Sequence, residues 1–161
     1  MKSFRNILGC LFVLLSIISC SSDDGETAPT NTSENLEVVG VWDLVAVNIS
    51  SGQDLNLDGT ASTNLVEELS CITGSLLINE NMVWTFEQSN IAVSTITSGV
   101  FFAQCSGTQN DTGNWSASQT QLTLVGDRGE ITTLTISGNQ LINNVGEDLP
   151  GILSFVYELR Q

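Results

Sequence analysis

The chain has 161 residues, 18 of them acidic against four basic, no histidine and a net charge of −14. A surface of that sign repels phosphate backbones and anionic headgroups, which excludes nucleic acid as a partner and leaves cations as the natural charged partners. Without imidazole the commonest general base and a common zinc ligand are gone, and no pair of carboxylates stands out for glycosidase work, so the chain reads as a binding or structural protein and not as an enzyme.

The N-terminus is an address. Lys2 and Arg5 precede an apolar run, Ile7 to Ile18, too short to span a bilayer, and a small residue follows. That is the layout of a cleavable signal peptide over residues 1–19. Ile17-Ile18-Ser19-Cys20 resembles the lipobox of bacterial lipoproteins. The resemblance implies that the chain is cut before Cys20 and that its thiol takes a diacylglycerol, with a further palmitate-type chain often added to the new amine. Two or three chains hold a protein stably at a membrane where one holds marginally. The rival reading is an unmodified cysteine in an ordinary secreted protein or uncleaved anchor. Ser21-Ser22-Asp23-Asp24 is similar to the acid-rich export tag of surface-displayed lipoproteins, which implies an outer-membrane, lipid-anchored, surface-exposed protein. A plain solvated tether fits the same residues. After the cut only Arg128 and Arg160 stand against 18 acids, a charge of −16. Residues 20–37 hold too little apolar area to offset their ordering entropy and read as a lipidated flexible tether. Residues 38–161 have the length for one core, hence one domain.

Within that domain the apolar period is two. The first predicted strand is Val41–Ile49. The next segment, Asp54-Leu55-Asn56-Leu57-Asp58-Gly59-Thr60-Ala61-Ser62, matches the start of a calcium loop. Side-chain oxygens at alternate positions converge on one centre, Gly59 allows the turn, the Thr60 carbonyl follows, and Ser62 can hold a water. The bidentate glutamate is misplaced, since Leu65 holds its position and Glu67 and Glu68 come two and three residues late. Either calcium binds with one of them brought back, or the segment is an Asx-rich turn that satisfies its own backbone. Asn64 to Leu69 reads as a short helix capped by Ser62 or Thr63, its Leu65, Val66 and Leu69 closing one end of the domain.

Cys71 follows at once. With Cys10 removed and Cys20 lipidated, Cys71 and Cys105 are an even pair outside the cytoplasm. A disulfide between them closes 33 intervening residues and contributes about 3 to 4 kcal/mol in the chain-entropy model; two buried thiols or a metal or redox site are the rivals. Further strands are predicted at Gly74–Asn79, Val83–Gln88, Ile91–Thr97, Val100–Gln104, Gly113–Ala117, Gln121–Val125, Glu130–Ser137, Gln140–Val145 and Ile152–Arg160, most joined by tight turns. Trp84, Phe86, Phe101, Phe102, Phe155 and Tyr157 would line a cavity or fill it. Eight to ten strands in meander order lose their exposed edges by closing into an antiparallel up-and-down barrel, here with one short helix after the first strand.

Gly40-Val41-Trp42 resembles the Gly-x-Trp signature of lipocalin-like domains. Gly113-Asn114-Trp115-Ser116 followed by Gln121-Leu122-Thr123-Leu124 is similar to a hairpin of bacterial lipocalin-like lipoproteins. The resemblance implies that Trp42 sits at the closed end of a barrel with Arg160 laid across it by cation–π contact, against the alternative of a solvated C-terminal arginine. It departs from lipocalins in the long insertion after the first strand and in the absence of their later motifs. The function it implies is non-covalent binding of a small or extended, even hydrophobic, ligand by a monomer at the cell envelope. The alternative is a filled barrel that meets an envelope protein, and a third is an inhibitor presenting the loop Asn48–Leu69. An open cavity of about 300 Å³ or more favours the first.

Overall fold

The computed structural model describes residues 36–95, 101–145 and 151–161, so the expected signal peptide, Cys20 and the expected tether up to residue 35 lie outside the described residues. A turn of 3₁₀ helix, Leu36–Val38, leads into β1 (Gly40–Gln53). A three-residue β2 (Ser62–Asn64) and a one-turn α1 (Leu65–Glu68) follow, then β3 (Gly74–Ile78), β4 (Val83–Thr95), β5 (Phe101–Ala117), β6 (Gln121–Gly126), β7 (Ile131–Ser137), β8 (Gln140–Asn144) and β9 (Ile152–Leu159). From β3 onward each strand pairs antiparallel with the next, and β1 pairs with both β3 and β9. Eight strands thereby close an up-and-down barrel, and β2 adds to β1 beyond the point where β3 leaves it. Closure removes the exposed edges that an open meander would present.

The pleat explains which residues meet inside. Trp42 and Leu44 point inward from the start of β1, and Val47 and Ile49 from its second half. That break in the period of two is a bulge between Leu44 and Ala46 in the ladder with β9. The extra residue resets the strand so that its apolar set stays on the core side. Asn64 completes the arrangement: its Oδ1 accepts from Val47 N at 3.0 Å and its Nδ2 donates to the Val45 carbonyl at 3.2 Å. The same Oδ1 accepts from Val66 N at 3.1 Å, so Asn64, and not Ser62 or Thr63, caps α1. The Ser62 hydroxyl is engaged elsewhere, donating to Glu67 and accepting from Asn64 N.

One end of the barrel is packed shut. The Trp42 indole donates to the Val38 carbonyl at 2.8 Å, and Trp115 donates to the Asn79 carbonyl at 2.9 Å. Ile78, Leu122, Leu134 and Leu141 fill the space around them and are almost fully buried. Burial of each such side chain stabilises the fold by about 1.5 to 3 kcal/mol. Gly40 is required here: its φ is +146°, and a Cβ on it would lie 2.7 Å from Leu159 Cδ1.

Two predicted strand breaks are absent. Val83–Gln88 and the described part of the next predicted strand, Ile91 to Thr95, both belong to β4, which continues through a register shift between Ser89 and Ile91. Likewise Phe101 to Gln104 and Gly113–Ala117 belong to one strand, β5. The residues between them, Cys105 to Thr112, are polar and lack alternation, yet Gln88↔Gln109 and Ser89↔Thr108 pairing holds them in the ladder. Beyond Gly74 and Gly113, β4 and β5 pair only with each other and form a two-stranded ribbon. Cys71 and Cys105 are joined in a disulfide with Cα atoms 6.2 Å apart, which fastens this ribbon to the segment after α1. The predicted strand residues Ile96, Thr97 and Val100 lie outside the described residues.

Candidate functional site

Opposite the packed end, side chains of β3 to β9 surround a recess of about 470 Å³. Strand pairing orders its walls by depth. On β4, Trp84, Phe86 and Gln88 face inward in sequence from floor to rim, and their partners across the β5 ladder are Gly113, Asp111 and Gln109. Leu76, Leu124 and Leu134 continue the floor, while Asn143 on β8 and Phe155 on β9 stand opposite one another higher up. The lower half is thus apolar and aromatic, and the upper half is rich in amides and hydroxyls.

Two glycines make room for this arrangement. A Cβ on Gly113 would lie 2.0 Å from the Val125 carbonyl oxygen, so β5 approaches β6 closely only with glycine there. The Trp84 indole uses that closeness, donating to the Asn114 carbonyl at 3.0 Å and to Val125 O at 3.3 Å. Gly74, paired with Gln88, leaves space for the glutamine, whose Oε1 accepts from the Tyr157 hydroxyl at 2.6 Å. Burial pushes ionisation of that phenol well above its usual range and keeps it a donor. Asp111 Oδ1 accepts from Thr112 N at 2.8 Å. Of the described residues lining the recess, Asp111 carries the single formal charge.

Of the aromatics expected to line or fill the barrel, Trp84, Phe86, Phe155 and Tyr157 line this recess. Phe102 does not; it is half exposed on the ribbon, and the Phe101 side chain lies outside the described residues. The polar half of the site, Gln88, Gln109, Asp111 and Asn143, gave no signal in the sequence. Amides and carboxylates at alternate positions look like an outer face until the ladder shows that they share a side with Trp84 and Phe86.

The loop between β1 and β2 folds on itself. Asp54 accepts from the backbone N of Asp58 and Gly59 at 3.1 and 3.0 Å, Asn56 from Asp58 N at 2.9 Å, and Asp58 from Thr60 N at 2.8 Å. Ser62 Oγ donates to Glu67. Glu68, almost fully buried, accepts from Leu55 N, Asn56 N and Ser62 N at 2.8, 3.3 and 3.0 Å. These oxygens are aimed at the loop's own N–H groups, the pattern of an Asx-rich turn. Among the described residues no three or more His, Cys, Asp or Glu side chains are gathered about one point.

Arg160 sits apart from Trp42. Its backbone N donates to Val41 O at 2.8 Å, and its guanidinium Nε donates to Asp43 Oδ2 at 2.8 Å. Asp43 leaves β1 on the face opposite Trp42, so the arginine is held outside the barrel by a carboxylate instead of lying across the buried indole. The guanidinium beside Asp43 keeps that carboxyl below its usual range. Arg160 and Arg128 border an open groove on the outer flank, which also carries Glu87 and Asp127 and which Asp111 borders from the recess side. With charges of both signs and no enclosing wall, this groove is a weaker site than the mouth.

Comparison with curated proteins and with solved structures found no match. The model of the lipocalin-like domain family matches residues 38–142, which include β1, with Gly40 and Trp42, the barrel strands β3 to β7 and the first half of β8. With the closed antiparallel meander and the recess at one end, that match places the chain in the lipocalin-like domain family.

Proposed function

We propose that this domain binds a small molecule non-covalently in the open mouth of its barrel, at a membrane surface to which Cys20 tethers it through residues 20–37. The supporting observation is the recess itself: about 470 Å³, within the range of small-ligand pockets, with an aromatic floor and polar groups near the rim. A barrel packed solid describes the Trp42 end but not this one. The chain has no histidine to serve as a general base, and the reading is one of sequestration, with no covalent step. The tether rests on the lipobox-like Ile17-Ile18-Ser19-Cys20.

Each half of the proposal has its own test. Trp84 lines the recess, so ligands entering the mouth should perturb tryptophan emission, and Phe86→Trp, which fills the recess, should weaken them. A ligand whose affinity is indifferent to Phe86→Trp binds elsewhere and would overturn the mouth as the site. For the anchor, labelled palmitate should enter the full chain in cells and disappear with Cys20→Ala. Incorporation that survives the substitution would sink it.

A further inference from the structure

We propose that the ligand of the mouth is a small amphipathic amine, its apolar body on the aromatic floor and its protonated nitrogen at Asp111; this rests on the mouth being the binding site. Three observations select the sign of the charge. Asp111 shares its face of the β4–β5 ladder with Phe86, one pair below the rim pair Gln88 and Gln109, so its carboxylate lies beside the recess at middle depth. Oδ1 accepts from Thr112 N, and Oδ2 has no hydrogen bond to any described residue, which leaves an anionic acceptor for a ligand N–H. No lysine or arginine is among the described residues lining the recess, so a ligand carboxylate or phosphate would meet no counter-charge there.

The surroundings point the same way. Phe86 and Phe155 line the recess, and ammonium groups are attracted to the negative face of an aromatic ring. The side chains of Gln109 and Asn143 make no hydrogen bond to the described residues, and their amide oxygens are acceptors for the remaining N–H groups of an ammonium. At longer range the excess of 18 acidic over four basic residues concentrates cations around the molecule and speeds their arrival. The polarity of the walls sets the orientation: an apolar group descends past Phe86 to Trp84 and Leu124, and the charged head stays near the rim, where its desolvation is incomplete and therefore less costly.

Three probes that share a phenyl body test this on the full chain by isothermal titration: 2-phenylethylamine, 2-phenylethanol and 3-phenylpropionate, with a neutral disaccharide as a fourth. The amine should bind at least tenfold more tightly than the alcohol, and the acid should bind most weakly. Asp111→Asn keeps an oxygen for Thr112 N and should collapse the amine-to-alcohol ratio toward one. Raised salt should erode the amine's advantage and leave the alcohol unaffected. If the alcohol or acid binds as tightly as the amine, or the ratio survives Asp111→Asn, the amine assignment is overturned while the mouth stands as a site. If the disaccharide alone binds, the mouth also stands and its ligand is a neutral polyol. If none of the four binds at millimolar concentration, the amine assignment and the mouth fail together.

Discussion

Single side chains in this protein do work that their sequence neighbourhood does not advertise. Glu68 looks like a carboxylate on a short helix, yet its two oxygens hold two backbone N–H groups of the loop between β1 and β2 and that of Ser62, the first residue of β2. Glu68→Ala leaves those part-buried donors without their acceptor, at about 1 to 3 kcal/mol for each that water does not reach, and urea unfolding should show a loss of about 2 kcal/mol. Asp54, Asn56 and Asp58 are engaged with the same loop, so the melting midpoint should be equal in millimolar calcium and in chelator. A rise in calcium would put a cation among them. Tyr157 offers a second check, because it is the single tyrosine of the chain. Its ionisation is raised by burial above the ordinary value of 10.0. The unfolded chain then loses this proton first, so stability falls as pH rises past about 10, and Tyr157→Phe should flatten that decline. Absorbance near the phenolate band should show no ionisation until the protein unfolds; titration at the ordinary value in the folded state would contradict the burial of the hydroxyl.

Among the elements, the β4–β5 ribbon shows how far patterning reaches. Alternation marks Val83–Gln88 and Gly113–Ala117 because one face of each is apolar, and it fails over Cys105 to Thr112 because that stretch pairs only with β4 and borders the mouth. The ribbon is held at its base by Ser89, whose hydroxyl donates to Cys71 O and accepts from Thr73 N, and by the disulfide to Cys105. Reduction, or the double substitution of Cys71 and Cys105 by alanine, should lower stability by about 3 to 4 kcal/mol in the chain-entropy model. Amide exchange should quicken first at residues 89–95 and 101–108 while β6 to β8 stay protected. Uniform loss of protection would mean that the disulfide supports the whole barrel. The helix cap is not legible from local sequence for a related reason: Ser62, Thr63 and Asn64 are all good caps, and the bulge in β1 selects Asn64 by giving its amide two further partners.

Over the whole molecule, closure by β1 and β9 converts a run of hairpins into one cooperative unit, with Trp42 and Trp115 at the packed end and the recess at the other. The large negative charge acts on that unit as self-repulsion, which favours expansion. Raising salt from about 10 mM to about 300 mM shortens the screening length from roughly 30 Å to below 8 Å and should raise the melting midpoint. A midpoint that falls over this range would show that local ion pairs such as Asp43–Arg160 outweigh the global repulsion.

The sequence by itself determined the strands with an apolar face, their meander order, the position of the short helix, the pairing of Cys71 with Cys105 and membership of the lipocalin-like family through Gly40, Trp42 and the Gly113–Leu124 hairpin. Those features are local, or follow from burial with a period of two. Only the tertiary structure decided that Arg160 joins Asp43, that Glu68 organises a loop, and that Gln88, Gln109, Asp111 and Asn143 converge on the mouth. A polar residue on a strand reads alike whether it faces bulk water or the inside of a barrel, and the register of closure, set by contacts far apart in the chain, is what tells the two apart.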